Sequence, residues 1–273
     1  MTFSIALSRA LRWTRLTSVL VLSGFVLAAC GGGGGSSDSG EAVLSAEQEA
    51  RTLVQYGYRT GTGIYEYGYN SIPQLAILDA PVDVDLSRYA MVHDGRRYHL
   101  FAGVLGNDNA LDIYTYDGSG YRYTNQRVAV RDLPADADRS NFSMVHNGTS
   151  FRLYYRSSLN PTAIYQIRAN SLGVDFIYGS LGVFNVLGLT GVPADADLSR
   201  WAMHHDGADY RHLVFQRGSS TTIYQFGWDG GAYALGHNSL TTVTLTDTPA
   251  TALTRTFAML HDGRDLRLYQ LGQ

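Results

Sequence analysis

Internal repetition constrains this chain more than any other feature of its sequence. Four segments align: PVDVDLSRYAMVHDG from Pro81, PADADRSNFSMVHNG from Pro134, PADADLSRWAMHHDG from Pro193 and PATALTRTFAMLHDG from Pro249. Each Pro stands twelve residues before a His, and the successive His93, His146, His205 and His261 are 53, 59 and 56 residues apart. Length changes fall outside the Pro-to-His segment, which is therefore the fixed part of each unit.

The period inside a unit is two. Tyr89, Phe142, Trp201 and Phe257 share one strand face with the Met two residues on and with the four His. The opposite face carries the small Ala90, Ser143, Ala202 and Ala258, then Val92, Val145, His204 and Leu260. A strand apolar on both faces is buried on both. Asp-Gly or Asn-Gly follows each His and predicts a two-residue hairpin turn. A returning strand comes next, as in YHLFAGV, then a strand marked by Ile-Tyr at 64–65, 113–114, 164–165 and 223–224, then a fourth strand such as YRYTNQRVAV.

Each unit thus reads as four antiparallel strands, and the whole as an all-β, four-bladed β-propeller. The alternative architectures are a β-sandwich or a barrel. The last unit stops after two strands, while strands of the missing types stand at 64–70 and 74–80. N- and C-terminal strands are therefore expected to complete one blade together and close the ring. The small-residue strand, turn glycine and Tyr/Phe-rich second strand of each unit resemble the hemopexin-type four-bladed propeller, and the resemblance implies the same blade count.

The first forty residues are of another kind. Residues 1–15 hold Arg9, Arg12 and Arg15 and no acid, and residues 16–29 are mostly apolar, an arrangement typical of a signal peptide. Leu27-Ala28-Ala29-Cys30 resembles the lipobox of bacterial lipoproteins. The resemblance implies cleavage before Cys30, lipid on its thiol, and attachment to the bacterial cell envelope, which is the outer membrane if the host is Gram-negative. Residues 30–44 then form the lipidated Cys and a Gly/Ser-rich tether. Ser45-Ala46-Glu47-Gln48 fits a capping box, so a short helix is expected over 45–54. The repeat domain occupies 55–273.

Composition removes several chemistries. All 21 basic residues are Arg, so lysine Schiff bases and a P-loop lysine are excluded. The single Cys30 excludes an internal disulfide and a cysteine nucleophile in the repeats. Without the leader's three Arg, 18 Arg face 24 acids, a balance that disfavours nucleic acid as a partner.

Two sets of repeated residues are candidate sites. Asp83-x-Asp85-x-Ser87, Asp136-x-Asp138-x-Ser140 and Asp195-x-Asp197-x-Ser199 resemble the opening of a calcium loop. Calcium is accordingly the one cofactor the sequence suggests, with turn capping by the same side chains as the alternative. His93, His146, His205 and His261 invite a metal ring, but their place beside hairpin turns favours a structural role. No unique catalytic cluster stands out, so a binding or interaction scaffold is expected, with an envelope protein or a glycan as partner. The alternatives are a lectin and a hydrolase using Asp residues at the channel mouth.

Overall fold

The computed structural model describes residues 51–179 and 186–273. The leader, Cys30, the tether and residues 45–50 lie outside the described residues. Every regular element among the described residues is a strand. First come β1 (Thr52–Arg59), β2 (Ile64–Tyr67) and β3 (Gln74–Leu78). Then follow β4 (Val84–His93), β5 (Tyr98–Val104), β6 (Asn107–Tyr116) and β7 (Gly120–Arg131). The next unit holds β8 (Ala137–His146), β9 (Phe151–Ser157), β10 (Ala163–Ala169), β11 (Phe176–Ile177) and β12 (Val186–Thr190). After it come β13 (Ala196–His205), β14 (Tyr210–Gln216), β15 (Thr222–Trp228), β16 (Tyr233–Leu235) and β17 (Thr242–Thr246), and last β18 (Ala252–His261) and β19 (Leu266–Gly272).

These strands pair as antiparallel meanders. The first sheet is β4–β5–β6–β7. The second is β8–β9–β10, with β11 and β12 sharing the outer side of β10. The third is β13–β14–β15, with β16 and β17 sharing the outer side of β15. The fourth is β18–β19–β1, with β2 and β3 outside β1. The inner strands pack in a cycle, β4 against β8 and β18, and β13 against the same two. Sheets repeated around an axis in this way make a β-propeller, an arrangement that a sandwich or a single barrel lacks.

The closing sheet corrects the expected register. Its third strand is not 64–70 but β1, whose Leu53-Val54-Gln55-Tyr56-Gly57-Tyr58 occupies the place of Ile223-Tyr224-Gln225-Phe226-Gly227-Trp228 in the third sheet. Residues 64–78 form the broken outer strand instead, matching β16 and β17. Thr52–Val54 are accordingly strand rather than the end of a helix. The physical reason is tertiary: β1 is buried on both faces and pairs with β19 across more than two hundred residues, which outweighs a local capping signal. Gly57 and Gly227 are required here, because a Cβ would stand 1.9 Å from the carbonyl oxygens of Tyr69 and His237 in the crossing loops.

The outer strands are also joined to one another. β3 pairs in parallel with β7, β7 with β11, β12 with β16, and β17 with β2. Each sheet's rim is thereby hydrogen-bonded to the next, which occupies edges that would otherwise be open.

The core lies between neighbouring sheets as four apolar clusters. The large aromatic of one inner strand meets the small residue of the previous one, Tyr89 with Ala258, Phe142 with Ala90 and Phe257 with Ala202. In the second sheet the small residue is Ser143, whose hydroxyl accepts the Met203 N–H at 2.8 Å. The small face therefore makes room for a neighbour's ring, and each such ring contributes on the order of 1.5–3 kcal/mol by burial.

The hairpins after the His also differ from expectation. His93 pairs with Tyr98, leaving a four-residue loop rather than a two-residue turn. Asp94 Oδ1 accepts the N–H groups of Arg96 and Arg97 at 2.8 and 2.7 Å, and only Gly95 takes a positive φ, of 91°. The carboxylate closes the longer loop by satisfying backbone donors that a tighter turn would leave to water.

Candidate functional site

The Asp-x-Asp-x-Ser segments coincide with register shifts in the inner strands, between Asp85 and Tyr89, Asp138 and Ser143, and Asp197 and Trp201. A bulge orphans backbone donors, and the second Asp of each segment supplies the missing acceptor. Asp85, Asp138 and Asp197 Oδ1 take the N–H groups of Ser87, Ser140 and Ser199 at 3.1, 2.9 and 3.2 Å. The first Asp ties the inner strand outward. Asp136 and Asp195 accept the hydroxyls of Tyr165 and Tyr224, the tyrosines of the Ile-Tyr marker. Asp83 accepts two guanidinium bonds from Arg127 at 2.9 Å each. Where the fourth sheet replaces the acid by Thr251, Val54 replaces the tyrosine. Among the described residues no three His, Cys, Asp or Glu side chains gather closely enough to hold a metal ion.

The four His line a constriction of about 10 Å³ on the axis, with Met91, Met144, Met259 and His204. His93, His146 and His205 pack on the ring that opens the next strand, Tyr98, Phe151 and Tyr210, at 4.6–4.8 Å. His146 and His205 accept the N–H of the loop glycine at 3.3 and 3.2 Å through Nδ1. Burial lowers the basicity of His93, His146 and His205. These contacts brace the hairpins.

Open space lies instead between sheets, on the same end as these hairpins. A cleft of about 310 Å³ separates the fourth sheet from the first. Its walls are Tyr98, Tyr116 and Tyr121 from one side and Tyr269, Arg267, Gln55 and Leu75 from the other, with Asn70, Ser71 and Ile72 at the rim. Tyr98 and Tyr116 meet edge to face at 6.1 Å, and Tyr116 packs on Tyr121 at 5.6 Å. The polar groups are mostly fixed. Arg267 binds Asp262 and Asp265 at 3.2 and 3.3 Å and donates to the Asn70 carbonyl at 3.2 Å. Tyr98 donates to Asp262 at 2.8 Å, and burial followed by that carboxylate pushes its phenol up to about 12, so it stays a neutral hydroxyl. Ser71 Oγ is buried and has no hydrogen-bond partner among the described residues.

The cleft joins residues more than two hundred positions apart, so no local motif announces it. Tyr121 was legible as an aromatic of an outer strand, but only pairing across the chain ends brings it opposite Tyr269. The repeats did contain a signal, since Arg267 recurs as Arg152 and Arg211 at matching strand positions.

No known family profile matches the chain. No curated protein matches it. Among solved structures it is similar to a fucose-specific lectin from Aleuria aurantia, at 14% identity over 75% of this chain and 62% of that one, with a TM-score of 0.34. It is similar too to the SapL1 lectin in complex with α-methyl fucoside, at 14% identity over 67% and 54% of the two chains and a TM-score of 0.32. An exo-β-1,3-galactanase from Phanerochaete chrysosporium shows 11% identity over 57% and 36%, with a TM-score of 0.34. The chain thus spans less than two thirds of the length of each of these proteins. Likeness at this level assigns neither a family nor a ligand.

Proposed function

We propose that the chain is a saccharide-binding, four-bladed β-propeller, tethered to a bacterial cell envelope through lipid on Cys30. The observation that carries the binding reading is the cleft between the fourth and first sheets. Its volume falls at the lower end of the range of about 300–1,000 Å³ seen for small-ligand pockets. Aromatic faces with a few fixed polar groups suit a sugar, whose C–H face packs on a ring while its hydroxyls pair at the edges. Gln55, Arg267 and the neutral Tyr98 hydroxyl supply those groups, and Ser71 Oγ awaits a partner. The hydrolase alternative has less support. Asp83, Asp136 and Asp195 bind Arg127, Tyr165 and Tyr224, and the second Asp of each segment caps the bulge.

A glycan array probed with the whole chain tests the reading. We expect binding to a set of saccharides and a loss of about tenfold or more in Tyr116→Ala, a half-buried residue whose removal takes away a stacking wall. Binding unchanged in that variant would place the saccharide elsewhere, and an array with no signal would overturn the reading. The anchor is tested separately by radiolabelled palmitate. Incorporation should disappear in Cys30→Ala, and equal labelling of parent and variant contradicts the lipoprotein assignment.

A further inference from the structure

We infer that the saccharide bound in this cleft is anionic, and that Arg97, with Arg96, holds its carboxylate or sulfate on the adjoining face of the first sheet. The inference rests on the saccharide reading and adds the charge of the ligand to it. It starts from a break in the fourfold pattern. The last two residues of the hairpin loop are Thr149-Ser150, Ala208-Asp209 and Arg264-Asp265 in the second, third and fourth sheets, but Arg96-Arg97 in the first. In the third and fourth sheets the loop acid neutralises the arginine of the next strand, Asp209 with Arg211 at 3.2 Å and Asp265 with Arg267 at 3.3 Å. The first sheet exchanges both partners, placing Arg97 where the acid stands and His99 where the arginine stands.

The exchange leaves positive charge without a partner. His99, almost fully buried, bonds Asp94 Oδ2 at 3.0 Å and Thr115 Oγ1 at 2.9 Å. Asp94 Oδ1 is taken by the backbone of Arg96 and Arg97. The remaining charges facing this surface are Asp117 and Arg122, which bind each other at 2.8 Å, with Arg122 also reaching Asp79. The guanidinium groups of Arg96 and Arg97 are exposed and meet no carboxylate among the described residues. This happens on a chain whose net charge is −3.

The free cations lie on a track that leads out of the aromatic cleft. Tyr116 lines that cleft and also a neighbouring depression of about 500 Å³, which Arg97, Thr115 and Thr124 line as well. The same three residues border a further depression of about 400 Å³, together with Arg96 and Gln126. A ring seated on Tyr116 therefore has its next unit beside Arg97, with hydroxyl and amide groups from Thr115, Thr124 and Gln126 around it. A guanidinium's planar fork matches a carboxylate or sulfate with two parallel hydrogen bonds. An uncharged oligosaccharide would use the hydroxyls and leave both guanidinium groups to water.

The test compares uronate-containing oligosaccharides, their carboxyl-reduced counterparts and sulfated oligosaccharides of matched length, titrated against the whole chain. We expect one charged set to bind about tenfold tighter than the neutral set, the scale of a charge-assisted hydrogen bond. The preference should shrink as salt rises, because the site is exposed to screening. It should vanish in Arg96→Gln/Arg97→Gln, which keeps the parent's affinity for neutral rings and its melting temperature. Tight uronate binding alone identifies a carboxylate, and tight sulfate binding alone a sulfate. Equal or tighter binding of the neutral set, or a preference that survives the double variant, overturns the inference and leaves the saccharide reading standing. Failure of every saccharide to bind removes both.

Discussion

Deleting residues 264–273 should abolish cooperative folding of the whole repeat domain rather than fray its end. The deletion removes β19, which is hydrogen-bonded to β18 on one side and β1 on the other. Leu268, Tyr269 and Leu271 within it are essentially fully buried. At about 1.5–3 kcal/mol for each large side chain, their loss approaches the ~5–15 kcal/mol that holds a typical domain together. Specific bonds go with them. Tyr89 donates to the Tyr269 carbonyl at 3.0 Å, and Tyr56 to Gln270 Oε1 at 2.8 Å, so buried hydroxyls on β4 and β1 would lose their acceptors. Thermal melting followed by circular dichroism reads the result. A truncated chain that melts cooperatively at the parent temperature would contradict the closed ring.

Acidification should have the second large effect. His212 is fully buried beside Arg156, whose Nη2 lies 2.6 Å from its Nε2. Burial first, then the neighbouring guanidinium, hold its pKa well below the ordinary 6.5. His204 is lowered as well, by burial, with Asp206 opposing. His93, His146 and His205 shift in the same direction. The unfolded chain binds protons at these imidazoles from about pH 6.5 downward while the folded chain refuses them. Stability is therefore full above that pH and falls as pH drops below it, by about 1.4 kcal/mol per pH unit for each imidazole held neutral. For His204 and His212 alone that is about 3 kcal/mol per unit. Urea midpoints should hold level from pH 7.5 to about pH 6.5 and then fall toward pH 5, and a profile that stays flat to pH 5 would show that these imidazoles are not held neutral.

The repeat was legible because its defining residues do local work that recurs. The Asp-x-Asp-x-Ser run marks a bulge that needs acceptors, and each His marks a hairpin. In the second and third sheets the Ile-Tyr pair marks the strand whose tyrosine reaches the first Asp, Tyr165 to Asp136 and Tyr224 to Asp195. At 64–65 and 113–114 the same two letters mean something else: Tyr65 is a buried ring of an outer strand and Tyr114 stands in the place of Phe226, so the counterparts of Tyr224 are Val54 in the fourth sheet and Asp112 in the first. At β1 the capping box pointed to helix, and the contrary signal was the Gln-aromatic-Gly-aromatic run that Gln55–Tyr58 shares with Gln225–Trp228, while the pairing that makes it a strand comes from β19. The candidate cleft was hidden for the same reason, with Gln55 and Tyr269 drawn from the two arms of one sheet. Arg96 and Arg97 were readable, by setting the four hairpin loops side by side and noting that only the first puts arginine where the third and fourth put Asp209 and Asp265.

The composition of the fourth sheet has a consequence in time. Thr52 pairs with Gly272, so β1 leaves the ribosome some 220 residues ahead of its partner. At about 5–20 residues per second, that interval is on the order of 10–40 s. During it β1, β2 and β3 can hold one another as a small antiparallel group, but the edge of β1 that β19 will cover stays bare. That edge carries Leu53, Val54 and Tyr56, all wholly buried at the end. The earliest part of the domain to be made is thus the last to be finished, and for most of its synthesis the chain depends on whatever shields that one strand.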